Sequence, residues 1–99
     1  MSKRAGIWAF AVAASMVAGC HRHVATQADC RAILNRLVEM ELAESGFRDP
    51  ALVPRWQDEL ARRFDDDLRQ CRSMHVRDDL TACLRVAQNP EQIAHRCVQ

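Results

Sequence analysis

The stretch that decides the fold is Thr26-Gln27-Ala28-Asp29-Cys30-Arg31-Ala32-Ile33-Leu34-Asn35-Arg36-Leu37-Val38-Glu39-Met40. Thr26 and Asp29 form the pattern of a capping box, in which a hydroxyl accepts an early backbone N–H and an acid three residues later reaches back. Behind this box, apolar residues recur at spacings of three and four, the period of one helix face. These apolar residues are Cys30, Ile33, Leu34, Leu37, Val38 and Met40. The stretch predicts an amphipathic first helix that ends at Ser45-Gly46, with Gly46 as a left-handed cap.

A second amphipathic helix is predicted from about Pro54 to Arg72, after a loose first turn at Asp49-Pro50. Acid and arginine residues four positions apart mark its outer face as solvated. These pairs are Asp58/Arg62, Glu59/Arg63 and Asp65/Arg69. The inner stripe consists of Val53, Trp56, Leu60, Phe64, Leu68 and Cys71. Trp56 is of a type that anchors interfaces, but its place on this stripe favours the core.

Two shorter helices follow. Asp78 is predicted to cap a third helix, and Asn89-Pro90-Glu91-Gln92 begins the last one. Their inner residues are Leu80, Cys83, Leu84 and Ala87 in the third helix, and Ile93 and Cys97 in the last. No segment alternates with a period of two over five residues, so we expect no strand. The predicted fold class is all-α, a small bundle of three to four helices stapled by disulfides.

The N-terminus has the form of an export signal. Ser2-Lys3-Arg4 is basic, and the apolar run from Ile7 to Ala18 has twelve residues, short of the roughly 20 that span a bilayer. The run ends in Val17-Ala18-Gly19-Cys20, which resembles the lipobox of bacterial lipoproteins. The resemblance implies cleavage before Cys20, with diacylglycerol on its sulfur and an acyl chain on its nitrogen. The alternative, ordinary cleavage near Ala18 or Gly19, would leave Cys20 as a spare thiol.

The predicted organisation is a signal peptide over residues 1–19, a lipid-anchored tether over 20–27 and a helical bundle over 28–99. In the resemblance to enterobacterial lipoproteins, an Asp after the lipidated cysteine retains the protein in the inner membrane. His21 therefore implies the periplasmic face of the outer membrane. Loss of Lys3 and Arg4 lowers the formal net charge of the chain from +1 to −1, which argues against a nucleic-acid partner. A length of 99 residues excludes a multi-domain enzyme.

Four further cysteines, an even number, suit two disulfides in an exported protein. They are Cys30, Cys71, Cys83 and Cys97. Two pairings stay open: Cys30–Cys71 with Cys83–Cys97, or Cys71–Cys83 with Cys30–Cys97. The third pairing, Cys30–Cys83 with Cys71–Cys97, is discounted. A zinc site from Cys71, His75, Cys83 and Cys97 is a weaker interpretation, because no Cys-x2-Cys occurs.

The remaining candidate sites favour ordinary surface roles. His21-x-His23 could hold copper or zinc weakly, but two imidazoles on a tether leave most of the coordination sphere open. Asp65-Asp66-Asp67 would point about 100° apart on a helix and cannot converge on calcium. The sequence has no Cys-x-x-Cys redox pair, catalytic triad or phosphate loop. We therefore expect no catalytic site, and no cofactor besides the covalent lipid on Cys20.

The four-cysteine pattern, with Cys83-Leu84-Arg85-Val86-Ala87-Gln88-Asn89-Pro90-Glu91-Gln92-Ile93-Ala94-His95-Arg96-Cys97 at its end, resembles small exported helical proteins of myxobacteria, which have no assigned biochemical function. Our hypothesis is a non-enzymatic binding or scaffolding lipoprotein with a protein partner in the cell envelope. One alternative is a small envelope thiol-redox or metal-binding protein. Another is a stress or toxin-like lipoprotein that acts on the membrane. The sequence leaves the oligomeric state open.

Overall fold

The structure, a computed structural model, describes residues 21–98, which form five helices and two short strands. In chain order they are β1 (Arg22–Val24), α1 (Gln27–Glu44), α2 (Leu52–Arg63), α3 (Asp65–Cys71), β2 (His75–Arg77), α4 (Leu80–Val86) and α5 (Pro90–Gln92). Helix α5 runs directly into a π-helical turn, Ile93–Cys97. The prediction of a small helical bundle is confirmed. The predicted signal peptide and Cys20 lie outside the described residues.

Three of the predicted helix caps, at Thr26, Gly46 and Asn89, are present. The Thr26 hydroxyl accepts the Asp29 backbone N–H at 3.1 Å, and the Asp29 carboxylate accepts the Thr26 N–H at 2.9 Å. Gly46 follows α1 with a φ of +83°, a left-handed conformation that glycine adopts without steric conflict. At α5, the Asn89 side chain accepts the Gln92 N–H at 2.8 Å. The Thr26 and Asn89 caps satisfy N–H groups that a helix cannot satisfy internally, and after Gly46 the N–H groups of Gly46 and Phe47 donate to the Ala43 and Leu42 carbonyls.

The prediction of one continuous second helix is wrong, because the segment is broken at Phe64 into α2 and α3. Phe64 has φ −103° and ψ 31°, outside the helical range. Asp65, Asp66 and Asp67 form the first turn of α3, where carboxylates interact favourably with the positive end of the helix dipole. Pro54 lies in the first turn of α2, where its missing N–H leaves no hydrogen bond unmade. The acidic run therefore favours a new helix start inside the predicted one.

The expectation of no strand is also wrong. β1 and β2 pair antiparallel with His23 opposite Val76, and Val98 bridges Val76. The tether predicted over residues 20–27 needs correction for its described part. Beyond β1, Ala25 is buried and its N–H donates to the Met74 carbonyl at 2.8 Å. The folded domain therefore begins at β1 and not at residue 28.

The core lies between the start of α1, the small sheet, α4 and the π-helical turn. Its buried members are Ala25, Cys30, Val76, Leu80, Cys83, Leu84, Ala87, Ile93, Cys97 and Val98. Disulfides join Cys30 to Cys71 and Cys83 to Cys97, with Cα–Cα distances of 5.9 and 5.8 Å. This is the first of the two pairings that the sequence left open. Arg36 adds a polar link, since its guanidinium donates to the Leu84 and Ala87 carbonyls at 2.9 and 2.8 Å.

Helix α2 contributes no fully buried residue. Trp56 is 39% exposed, so its interpretation as a core residue is wrong. Asp79, and not Asp78, directly precedes α4, and its side chain makes no capping hydrogen bond. In the region from His21 to Val98, no helix has both the length and the apolar character needed to cross a membrane. The fold thus buries residues along α1 (Cys30, Val38 and Leu42) and leaves much of the α2 face open.

Candidate functional site

An open, mainly apolar groove of about 500 Å³ lies between α1 and the α2–α3 segment. We call it the α1–α3 groove. Its lining residues are Cys30, Ile33, Leu34, Leu37, Val38, Glu41, Leu60, Phe64, Asp67, Leu68, Cys71 and Pro90. The apolar stripes of α1 and of α2–α3 both contribute to this lining. Phe64, at the break between α2 and α3, stays 45% exposed.

The groove carries negative charge at its margin. Glu41 and Asp67 are its only ionisable lining residues, and no basic side chain lines it. Within residues 21–98, neither carboxylate forms an ion pair. Other acids nearby are engaged: Asp65 and Asp66 both contact Arg69. An apolar channel with unpaired carboxylates at its edge favours occupants that combine apolar and cationic groups.

The predicted disulfide cysteines border this groove and the core next to it. Cys30 and Cys71 line one end of the groove, where their disulfide ties the start of α1 to the end of α3. Cys83 and Cys97 are buried in the core. Because all four sulfurs are paired, the set proposed as zinc ligands supplies no free thiolate. Among the described residues, no three His, Cys, Asp or Glu side chains are arranged to hold a metal ion.

Two of the three predicted helix-surface ion pairs form, and the acid of the third pair has a different partner. Glu59 contacts Arg63 at 3.2 Å, and Asp65 contacts Arg69 at 3.2 Å. Asp58 does not pair with Arg62 but reaches across to Arg31 of α1 at 2.5 Å. That contact and the bond from the Gln57 amide to the Asn35 carbonyl, at 3.2 Å, hold α2 against α1 through residues that do not line the groove. Exposed pairs of this kind contribute little individually.

His23 forms a second polar cluster that the sequence did not indicate. Its Nδ1 lies 2.6 Å from the Asp78 carboxylate and its Nε2 lies 2.7 Å from the Asp29 carboxylate. Both ring nitrogens face acceptors, so both donate when the ring is a charged imidazolium. The hydrogen bonds to Asp78 and Asp29 raise the pKa of His23, while the Thr26 backbone N–H is the main cause that lowers the pKa of Asp29. His23 is therefore not a polar linker residue, because it joins β1 to α1 and to the turn before α4.

This cluster predicts a pH dependence of folding stability. Because the pKa of His23 is raised in the folded state, its protonated form stabilises the fold. This contribution is complete below pH 6.5, the ordinary pKa of histidine, and is lost as pH rises through the folded-state pKa. The lowered pKa of Asp29 has the opposite sign, so its contribution is lost as pH falls below about 4. We therefore expect the free energy of unfolding, measured in urea titrations, to decline as pH rises above 6.5.

The matched control is another histidine of the same sheet. His23→Ala is expected to remove the decline above pH 6.5, whereas His75→Ala, at an exposed position of β2, is expected to keep it. Equal slopes of stability against pH in the wild type and the His23→Ala variant would contradict the assignment.

Comparison with known proteins found no matching protein family, no similar curated protein and no similar solved structure. The chemistry of the groove therefore follows from its own shape and charge.

Proposed function

We propose that this chain is a lipid-anchored periplasmic lipoprotein that binds a protein partner through the α1–α3 groove and performs no chemical step. The observation that carries the proposal is the open apolar groove, which a disulfide-tied domain presents to solvent. Contiguous apolar surface of this kind is typical of interaction sites. Pairing of Cys30, Cys71, Cys83 and Cys97 supports this binding role over thiolate-metal chemistry at these residues, which needs a free thiolate.

The anchor is proposed to be a lipid on Cys20, with the protein at the periplasmic face of the outer membrane. The lipobox resemblance supports the attachment, and the paired state of Cys30, Cys71, Cys83 and Cys97 leaves Cys20 as the odd cysteine of the chain. Only His21 separates Cys20 from β1. An extended chain spans about 3.5 Å per residue, so the anchor would hold the domain directly at the membrane surface.

Site-specific photo-crosslinking in living cells tests the binding role. A photoreactive phenylalanine analogue at Phe64 is expected to give a discrete adduct with one envelope protein. The same analogue at Trp56, a position exposed on α2 outside the groove, is expected to give no such adduct. Absence of an adduct at Phe64, or the same adduct at both positions, would contradict a role for the groove.

Metabolic labelling with an alkynyl fatty acid in the same cells tests the anchor. The wild-type chain is expected to take up the label, and Cys20→Ser is expected to abolish it. The matched control is Cys83→Ala/Cys97→Ala, which also removes cysteines and should keep the label. Equal labelling of the Cys20→Ser variant would rule out a lipid at this residue.

A further inference from the structure

We infer that the α1–α3 groove receives an amphipathic helix of the partner protein, which carries basic residues on both sides of its apolar ridge. The inference rests on the proposed function and specifies the chemistry of the partner. Three features of the groove carry it: its length along α1, the character of its walls and the placement of its two carboxylates.

The length of the groove suits a short helix. Its lining residues on α1 run from Cys30 to Glu41, a distance of roughly 16 Å at a rise of 1.5 Å per residue. Three helical turns fit along such a wall. A docked helix would place apolar side chains at positions i, i+4 and i+7 between the two walls.

The walls are made of aliphatic side chains that are only partly covered. Leu34 and Leu37 of α1, Leu60 of α2 and Leu68 of α3 all line the groove, and none of the four is fully buried. Phe64 stands at the edge with nearly half of its surface exposed. A helix laid along the groove would cover these groups, and burial of their apolar surface would supply the main attraction.

The two carboxylates belong to different walls of the groove. Glu41 lies on α1, eleven residues or about three turns beyond Cys30, and Asp67 lies on α3, one turn before Cys71. Basic residues on both flanks of a docked helix would therefore face a carboxylate on either wall.

The same charges argue against an anionic lipid as the occupant. A fatty acid or an acidic headgroup would bring a negative charge to a groove whose only ionisable lining groups are Glu41 and Asp67. Like charges at the edge of an interface suppress binding, while opposite charges steer it and fix its register. Charge complementarity therefore favours a cationic amphipathic helix over a fatty acid with the same apolar surface.

The test compares two helical peptides and one lipid on the full chain in nanodiscs of zwitterionic lipid, with empty nanodiscs as the background. The cationic peptide has leucines at i, i+4 and i+7 and lysines at two positions that flank this apolar ridge on either side. Its acidic twin has glutamates at those two positions, and palmitate is the third probe. Fluorescence anisotropy is expected to show at least tenfold tighter binding of the cationic peptide than of the twin.

Charge variants of the chain identify the carboxylates responsible. Glu41→Gln/Asp67→Asn is expected to reduce the preference for the cationic peptide to about twofold or less. Glu44→Gln/Asp65→Asn removes the same charge from two exposed acids outside the groove and should leave the preference intact.

The outcomes separate this inference from the proposed function. Equal binding of the twin peptides, tighter binding of palmitate, or a homodimer that buries Phe64 would overturn the cationic helix and leave a binding groove. Failure of all three probes to bind would overturn the inference and count against the groove itself, which the crosslinking at Phe64 tests separately.

Discussion

Replacing both Cys30 and Cys71 by alanine is expected to lower the free energy of unfolding by about 4 kcal/mol. The disulfide closes a loop with a sequence separation of 41 residues, and release of that loop lets the unfolded chain gain conformational entropy. A small domain is stable by only about 5–15 kcal/mol in total. Urea unfolding followed by circular dichroism should therefore show a large fall in the transition midpoint. The same variant should also weaken binding at the groove, because this disulfide holds one end of it.

The second disulfide is the matched control for this prediction. Cys83 and Cys97 are separated by only 14 residues, so Cys83→Ala/Cys97→Ala is expected to cost about 3 kcal/mol. This variant should leave the groove end intact, because neither cysteine lines the groove. A loss below about 1 kcal/mol for the Cys30/Cys71 variant, or equal weakening of groove binding by both variants, would contradict the assigned roles.

The helix boundaries that were predicted correctly depend on local interactions. Thr26 caps α1 through Asp29, and Asn89 caps α5 through the Gln92 N–H, each within three residues. Such contacts join residues that are close in sequence, so the sequence pattern alone indicates them. The sequence left two cysteine pairings open, because a symmetric placement of cysteines about a turn does not show which helices pack together. The close approach of α1 to α3 decides between them.

The sheet could not be predicted from local pattern. β1 and β2 have three residues each and pair across about fifty residues of intervening chain, too short for a period of two to be visible. His23 is tied to the same long-range geometry, since Asp78 reaches its ring only through the strand pairing. A histidine in a polar N-terminal segment carries no local signal of that contact.

The candidate site was predicted in part. Leu34, Leu60 and Leu68 belong to the apolar stripes that periodicity identified, and all three line the groove. Periodicity says which residues share a face of a helix, but it does not say how completely that face is covered. Trp56 and Phe64 show the difference, because both lie on the predicted inner stripe and both remain substantially exposed. The helix break at Phe64 is the feature that sequence analysis missed here.

Replacing Leu84 by alanine is expected to lower the free energy of unfolding by about 2–5 kcal/mol. Leu84 of α4 is 5% exposed and belongs to the core. Removal of its side chain loses the transfer free energy of the apolar atoms and leaves a cavity that rigid neighbours fill only partly. The control is the same substitution at Leu34 in the wall of the groove. Because that side chain is partly exposed to the open groove, its truncation creates no closed cavity and is expected to cost about 1 kcal/mol.

Measured together, the two leucine variants separate folding from binding. Urea unfolding should rank Leu84→Ala as the more destabilised, while binding of the cationic peptide should be weakened more by Leu34→Ala, since only Leu34 would contact the docked helix. Such opposite rankings cannot come from a general loosening of the domain, because that would lower both quantities in the same order. If Leu34→Ala proved as destabilising as Leu84→Ala, the apolar stripes of α1 and α2–α3 would have to pack against each other in solution and bury Leu34. The groove would then be core, with no surface left for a partner.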